Sequence, residues 1–388
     1  MCDLQEEEAL LVAALLDEER QFNQIRRKRR DVWVHDINLK RKQQGEFHKL
    51  YPELRRDENR FYTYYKMNFE SFDEILDLIK NDITQQQTNF REPTERLAVT
   101  LRFLATGDSY KTIGHSFRLG FSTVATIVDE TSEAIWNRLQ PIYMPEPTEE
   151  IWEKSILGFK NVWQFPNCLG SIDGKHVTIK CLQKSGSNYF SYLKNFSIVL
   201  MAIVDPEYKF ICIDVGGYGK NSDGGIFETS AMGRKFANET MNIPPNRPLA
   251  DENEEIPCAR NDNSKERFNY HLCRARRVVE NAFGILAHKW RLFFRPLEVK
   301  VQTATKLVKA ACVLHNLLRT RNTDEQFLHL QENCNIPLPL VDNLAVDGRR
   351  AVNEAFKIRE KFVTYFINLY FQTNKKQYLP FIFNSFPI

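Results

Sequence analysis

The stretch FSIVLMAIVD, residues 196–205, sets the tightest limit on the fold. A strand with one wet face alternates apolar and polar residues, whereas this run carries no charge and no alternation until Asp205. Such a strand must be covered on both faces. It is flanked by two further β-rich runs, GSIDGKHVTIKC before it and YKFICIDVGGYG after it, with turn-like segments between them. Helical patterns follow over 224–239, 274–290 and 304–318. Strands first and helices after predict an α+β or α/β layered domain.

The region before the strands reads as helical. In residues 61–83, Phe69, Phe72, Ile75, Leu76 and Ile79 recur at helical spacing and predict a buried face. Further on, the pattern predicts a helix ending near Gly107, a short helix over 109–117, a break at Gly120, and a helix capped by Ser122 that buries Val124, Ile127 and Val128. Two helices about a Gly-containing turn match a helix-turn-helix, although three helices packed together with no DNA role share the pattern. Asp129, Glu130 and Glu133 on the second helix would have to face away from phosphate, leaving Lys111 and Arg118 as the nearby positive charges. MPEPTEEIW reads as a linker, so the expected organisation is a charged arm over 1–60, a helical helix-turn-helix region over 61–145, a second domain over 150–320, and a C-terminal helix with an aromatic tail over 321–388.

A net charge of +3 on 388 residues is too small to argue for nucleic acid by itself, so any DNA surface must come from local patches. Arg26, Arg27, Lys28, Arg29 and Arg30 form one such cluster, suited to nuclear import, to a phosphate contact or to a solvated helix face. The eight cysteines show no CxxC pair and no disulfide-framework spacing, which favours reduced thiols in an intracellular compartment. No run approaches the roughly 18 apolar residues that a membrane span requires. The expectation is therefore no membrane.

Three carboxylates carry the chemistry. Asp173 lies in an apolar-flanked strand, where an ionised carboxylate must be paired, protonated or metal-bound; a simple Asp-Gly turn with Gly174 is the plainer alternative. Asp223 precedes Gly224 and Gly225 and could be only a first-turn residue of a helix. Glu280 sits among Val278, Val279, Ala282, Phe283, Ile285 and Leu286, which predicts a largely buried helix, while Arg276 and Arg277 offer it a surface salt bridge. Carboxylates converging from strand and helix ends suit Mg²⁺ or Mn²⁺, and two such ions are an effective device for phosphodiester hydrolysis. Asp205 before Pro206 reads as a turn, Asp214 as a supporting residue, and His115, His176, His288 and His315 as packed or surface residues.

The blocks GSIDGKHVTIK, FICIDVGGYGKNSDGGIFETSAM and FNYHLCRARRVVENAFGILAHKWRLFFRP resemble those of the PIF/Harbinger transposase-derived nucleases, and RFLATGDSYKTIGHSFRLGFSTV resembles their helix-turn-helix. The resemblance covers roughly residues 61–365. It implies an RNase H-like catalytic domain of the DDE type, metal-dependent cutting of DNA with Mg²⁺ or Mn²⁺ as cofactor, a nuclear location, and DNA binding completed by a Myb-like partner. It assigns the catalytic and metal-binding roles to Asp173, Asp223 and Glu280. Between the second and third blocks the family usually has an apolar strand ending in an Asp ligand, but here the sequence is NIPPNRPLADENEEIPCARNDNSKERFNY. The resemblance therefore implies a strand lost between Pro257 and Cys258, with Asp251 as the remaining candidate ligand. It leaves two readings, a metal-dependent endonuclease and a catalytically inactive nuclear factor that binds DNA or protein.

Overall fold

The computed structural model describes residues 34–84, 92–181, 187–245, 249, 263–321 and 357–366, with the side chains of 263–267 excepted. Asp251, the Pro257–Cys258 junction, the Arg26–Arg30 cluster and the aromatic tail beyond 366 lie outside them.

Two short helical turns, Asp36–Leu39 and Arg41–Gln44, lead into α1 (Glu46–Leu54) and α2 (Glu58–Tyr65). Asp57 caps α2 by accepting the amide of Arg60, and Asn68 caps α3 (Phe69–Ile83) by accepting that of Ser71. Each such cap satisfies an amide that the helix cannot, an effect of about 1 kcal/mol. The predicted face of α3 is real, with Phe72, Ile75 and Ile79 fully buried. Pro93 opens α4 (Pro93–Thr106), and Gly107 ends it in the left-handed region at φ +66°. A Cβ there would also stand 2.8 Å from the Leu292 Cα, so Gly107 meets two constraints at once.

Ser109 caps α5 (Tyr110–Phe117), which matches the short helix expected over 109–117, but α6 (Phe121–Tyr143) starts two residues earlier than expected. Gly120 occupies its N-cap without a side-chain bond, and Ser122 falls inside the first turn. Val124, Ile127 and Val128 are buried, and the acids of α6, half-buried at Asp129 and exposed at Glu130 and Glu133, are each engaged by a neighbouring element. Asp129 accepts from Thr303 Oγ1 at 2.7 Å and from Lys306 Nζ at 2.7 Å, Glu130 pairs with the buried Arg96, and Glu133 pairs with Lys306. These carboxylates tie α6 to its neighbours. Lys111, His115 and Ser122 remain on the exposed surface of the α5–α6 pair.

After α7 (Glu149–Trp163), capped by Thr148, three antiparallel strands follow in the order β1 (Ser171–Thr178), β2 (Ser197–Val204) and β3 (Phe210–Tyr218). Every residue of β2 is buried. Ile198, Leu200, Ala202 and Val204 join the main core with α10 (Asn263–Lys289) and α11 (Val301–Thr320), whereas Val199, Met201 and Ile203 join a second cluster with Trp152, Ile226 and Met232. The alternation of β2 between two cores is what its unbroken apolar run foretold. Asn316 of α11 fastens the layers: its side chain accepts from the Phe210 amide and donates to the carbonyls of Tyr143 and Phe210.

Helix α10 begins well before the predicted residue 274, and the single helix expected over 224–239 is two, α8 (Asp223–Thr229) and α9 (Ala231–Ala237). Ser230 breaks it by turning to an extended backbone and capping Gly233 at 2.8 Å. The helical segment 357–366 lays Phe362 and Phe366 against Phe165 and Phe268.

Candidate acidic centre

Asp173 and Gly174 stand in the middle of β1, opposite Ala202 and Met201. The Asp-Gly turn is therefore ruled out. Because paired residues share a face, Asp173 belongs to the side of β1 that meets α10, and Gly174 to the side of the second core. On that second side lies Asp223, the first residue of α8, whose cap is the Ser222 hydroxyl. A Cβ on Gly174 would come within 2.2 Å of Asp223 Oδ1 and 2.7 Å of its Cγ. The missing side chain is thus the space that the Asp223 carboxylate fills.

Although Asp223 as a whole is exposed, its carboxylate lies against the strand, and burial raises its pKa; the charge of Asp173 raises it further, while His176 and Arg276 oppose the shift. Two acids from distant parts of the sequence therefore share one electrostatic neighbourhood at β1. This is the field that a bound cation relieves. His176 shares the Gly174 side, where its Nδ1 is 2.8 Å from the buried Ser197 Oγ and the Tyr192 ring meets it edge-on at 5.2 Å. Burial lowers the His176 pKa, and the Asp223 charge partly restores it. On the α10 side, Lys175 extends over the Phe283 ring at 5.8 Å, and burial lowers its pKa.

The sequence-based expectation for Glu280 is only half right. Val278, Val279, Ala282, Phe283 and Leu286 are buried as predicted, but Glu280 itself is exposed, on the outward side of α10 with Arg276 one turn before it. A helix can be largely buried and still present one polar rim. Glu280 makes no ion pair with Arg276 or Arg277 among the described residues, so the surface salt bridge is absent too. Helix α10 does reach β1, since Ser171 Oγ donates to the Arg276 carbonyl at 3.0 Å. Among the described residues no three His, Cys, Asp or Glu side chains come together closely enough to hold a metal ion, so Glu280 does not complete a set with Asp173 and Asp223.

Asp205 makes the predicted turn, its Oδ1 accepting from the amides of Glu207 and Lys209 at 2.9 and 2.8 Å, and burial pushes its pKa up to about 6. Asp214 lies in β3 opposite Met201. His315 is packed, with Nε2 2.7 Å from the Tyr208 carbonyl, and His288 is exposed. Sequence reasoning took Gly174 only as a possible turn partner of Asp173 and passed over Ser197. The signal for the first was present in the sequence, as a glycine inside a β pattern marks a close approach.

The sheet ends at β1. Its register directs the N–H and C=O groups of Ile172, Gly174 and His176 to the outer edge, where Leu297 pairs only with the far end, at Thr178 and Lys180. Among the described residues no strand continues the sheet there. Among them, too, no helix is long and apolar enough to cross a membrane.

Residues 172–316 match the DDE superfamily endonuclease family, a span that begins on β1 and ends in α11 and contains all three carboxylates. Protein ALP1-like of Arabidopsis thaliana is 24% identical over 318 residues, covering 72% of this chain and 76% of that protein. The Arabidopsis thaliana protein named antagonist of like heterochromatin protein 1 is 22% identical over 302 residues, covering 69% of this chain and 75% of its own length. No solved structure matches.

Proposed function

We propose that this chain, which carries a DDE superfamily endonuclease domain related to the Harbinger transposase-derived nucleases, is a metal-dependent DNA endonuclease with an RNase H-like catalytic domain. The observation that carries the reading is the packing of the Asp223 carboxylate against Gly174, the residue next to Asp173 in β1, where the charge of Asp173 adds to the rise in the Asp223 pKa. Two hard oxygen donors suit Mg²⁺ or Mn²⁺, which keep several waters and need few protein ligands. A divalent cation there would supply Lewis-acid polarisation of a phosphoryl oxygen and activation of water.

The chain's own residues do the rest. Asp173 and Asp223 hold the negative charge in place, and Gly174 leaves room for the second of them. Ser197 fixes the His176 ring beside Asp223, where it can take up or give a proton. Arg276, whose charge reaches Asp223, draws a phosphate toward the pair. Glu280, one helical turn beyond Arg276, is the third ligand in this reading, and Asp251 the fourth. DNA is the partner, held by the arm over 1–60 and the helix-turn-helix region over 61–145, and a Myb-like protein completes target recognition. The heterochromatin protein in the name of one relative, together with the Arg26–Arg30 cluster, supports a nuclear location.

A second reading, a catalytically inactive nuclear factor that binds DNA or protein, is supported by the separation of Glu280 from the acid pair. Conversion of supercoiled plasmid to nicked circle by the full-length chain distinguishes the two. The endonuclease reading expects nicking that requires Mn²⁺ or Mg²⁺ and disappears in Asp173→Asn. DNA binding with no metal-dependent nicking would select the second.

A further inference from the structure

The loop between β1 and β2 exposes apolar rings that the core does not use. Tyr192 is 80% exposed, and Phe190, Leu193 and Tyr218 are also open to solvent. Water opposes such a display, so a cluster of this kind marks a contact surface. The loop's described residues, 187–196, are nonetheless firmly built. The Ser191 amide donates to the Asn195 carbonyl at 2.8 Å, Ser191 Oγ donates to Asn195 Oδ1 at 2.7 Å, and the Ser197 amide donates to the Tyr189 carbonyl at 2.8 Å. Rings brace one another across it, Phe190 with Phe196 at 5.5 Å and Tyr189 with Tyr218 at 5.1 Å. The platform is thus ordered before any partner arrives, which lowers the entropic cost of binding.

Two observations identify the partner. From Gly174 to Val204 the sequence has lysines but no Asp or Glu, and Lys194 and Lys220 stand exposed beside the rings, Lys220 held by Asn188 Oδ1 at 2.9 Å. The platform also borders the acidic centre, because Tyr192 meets His176, on which the Asp223 charge acts. Exposed rings interleaved with lysines are what a single-stranded nucleic acid requires, one for base stacking and the other for phosphate.

We propose that this loop is a stacking platform for unpaired bases of a DNA strand, with Tyr192 as the principal stacking ring and Lys194 and Lys220 as phosphate contacts. This deepens the endonuclease reading by specifying a substrate whose strands are already separated next to the cut. A duplex end with splayed bases fits the platform, and a continuous duplex does not.

The test measures binding without cleavage, by fluorescence anisotropy of the full-length Asp173→Asn chain in EDTA. The probes are a blunt 20-base-pair duplex and the same duplex with a few unpaired nucleotides at one end. The parent should prefer the splayed DNA, Tyr192→Ala should lose roughly ten-fold in affinity for it while binding the duplex unchanged, and Tyr192→Phe should retain the preference. Equal affinity of the parent for the two DNAs, binding of neither, or an unchanged preference in Tyr192→Ala would overturn the platform. A positive result alongside a metal-independent, inactive protein in the plasmid assay would instead overturn the endonuclease reading and leave the platform standing.

Discussion

Replacing Gly174 by alanine is the most informative single perturbation. The backbone of β1 is ordinary extended strand at this position, so an alanine meets no conformational barrier and would stabilise the chain by roughly 0.5 to 1 kcal/mol through lost unfolded-state freedom. Against that stands the new methyl group, 2.2 Å from Asp223 Oδ1 and 3.3 Å from Val199 Cγ1. Ordinary contact distance requires the carboxylate to retreat by about 1 Å or to rotate away from the strand. Asp223 lies at the solvent-exposed start of α8, so it can move without disrupting the core. The two effects leave the melting temperature within a few degrees of the parent. The acidic centre fares differently, since a displacement of about 1 Å in a catalytic constellation can cost on the order of 100-fold. Plasmid nicking in Mn²⁺ and thermal unfolding of the same preparations provide the two readings. A further control is Gly174→Ala in an Asp223→Asn background, where the methyl group should add no further loss of nicking. Full nicking by Gly174→Ala would show that the position of Asp223 against β1 has no part in the chemistry.

Other expectations follow from the same geometry. Asp173→Asn should abolish Mn²⁺-dependent nicking with the fold intact by circular dichroism, and Glu280→Gln should do the same if Glu280 is the third ligand; undiminished nicking in Glu280→Gln would remove it from the centre. Asp205 has a folded-state pKa of about 6, raised from 3.8 by burial, so it contributes stability below pH 3.8 that is lost as pH rises through 6. Asp205→Asn keeps a turn acceptor without the buried charge, and should therefore raise stability at pH 7 by up to about 3 kcal/mol, from 1.36 kcal/mol per unit, and flatten the melting temperature between pH 4 and 7. An unchanged pH profile in that variant would contradict the assignment. Asp223 also has a raised pKa, so its charge destabilises the protein above that pKa; Asp223→Asn should raise the melting temperature at pH 7 in EDTA, and a lowered one would argue against a carboxylate buried at β1 within the field of Asp173.

Much of this was legible in the sequence because local rules and tertiary packing agree. The unbroken apolar run of β2 required two covering layers and obtained them, and the apolar face of α3 and the short helix α5 stand where periodicity and the glycine breaks put them. Ser230 could have been read as a second cap, but the apolar residues on either side disguised the break between α8 and α9. The exposure of Glu280 was less accessible. Its neighbours are apolar in sequence, yet they turn to one side of α10, and only the packing against β1 and α11 determines which side that is. The approach of Asp223 to Gly174 joins residues far apart in the chain, and no periodicity encodes it.

The central claim is that Asp173 and Asp223 form one cation site. Titration of Mn²⁺ into the full-length chain, followed by the loss of free-ion signal in electron paramagnetic resonance, tests it most directly. Saturable binding is expected, and either Asp173→Asn or Asp223→Asn should weaken it by at least about ten-fold, because each removes a ligand charge. Mn²⁺ binding that is the same in the parent and in both variants would contradict it.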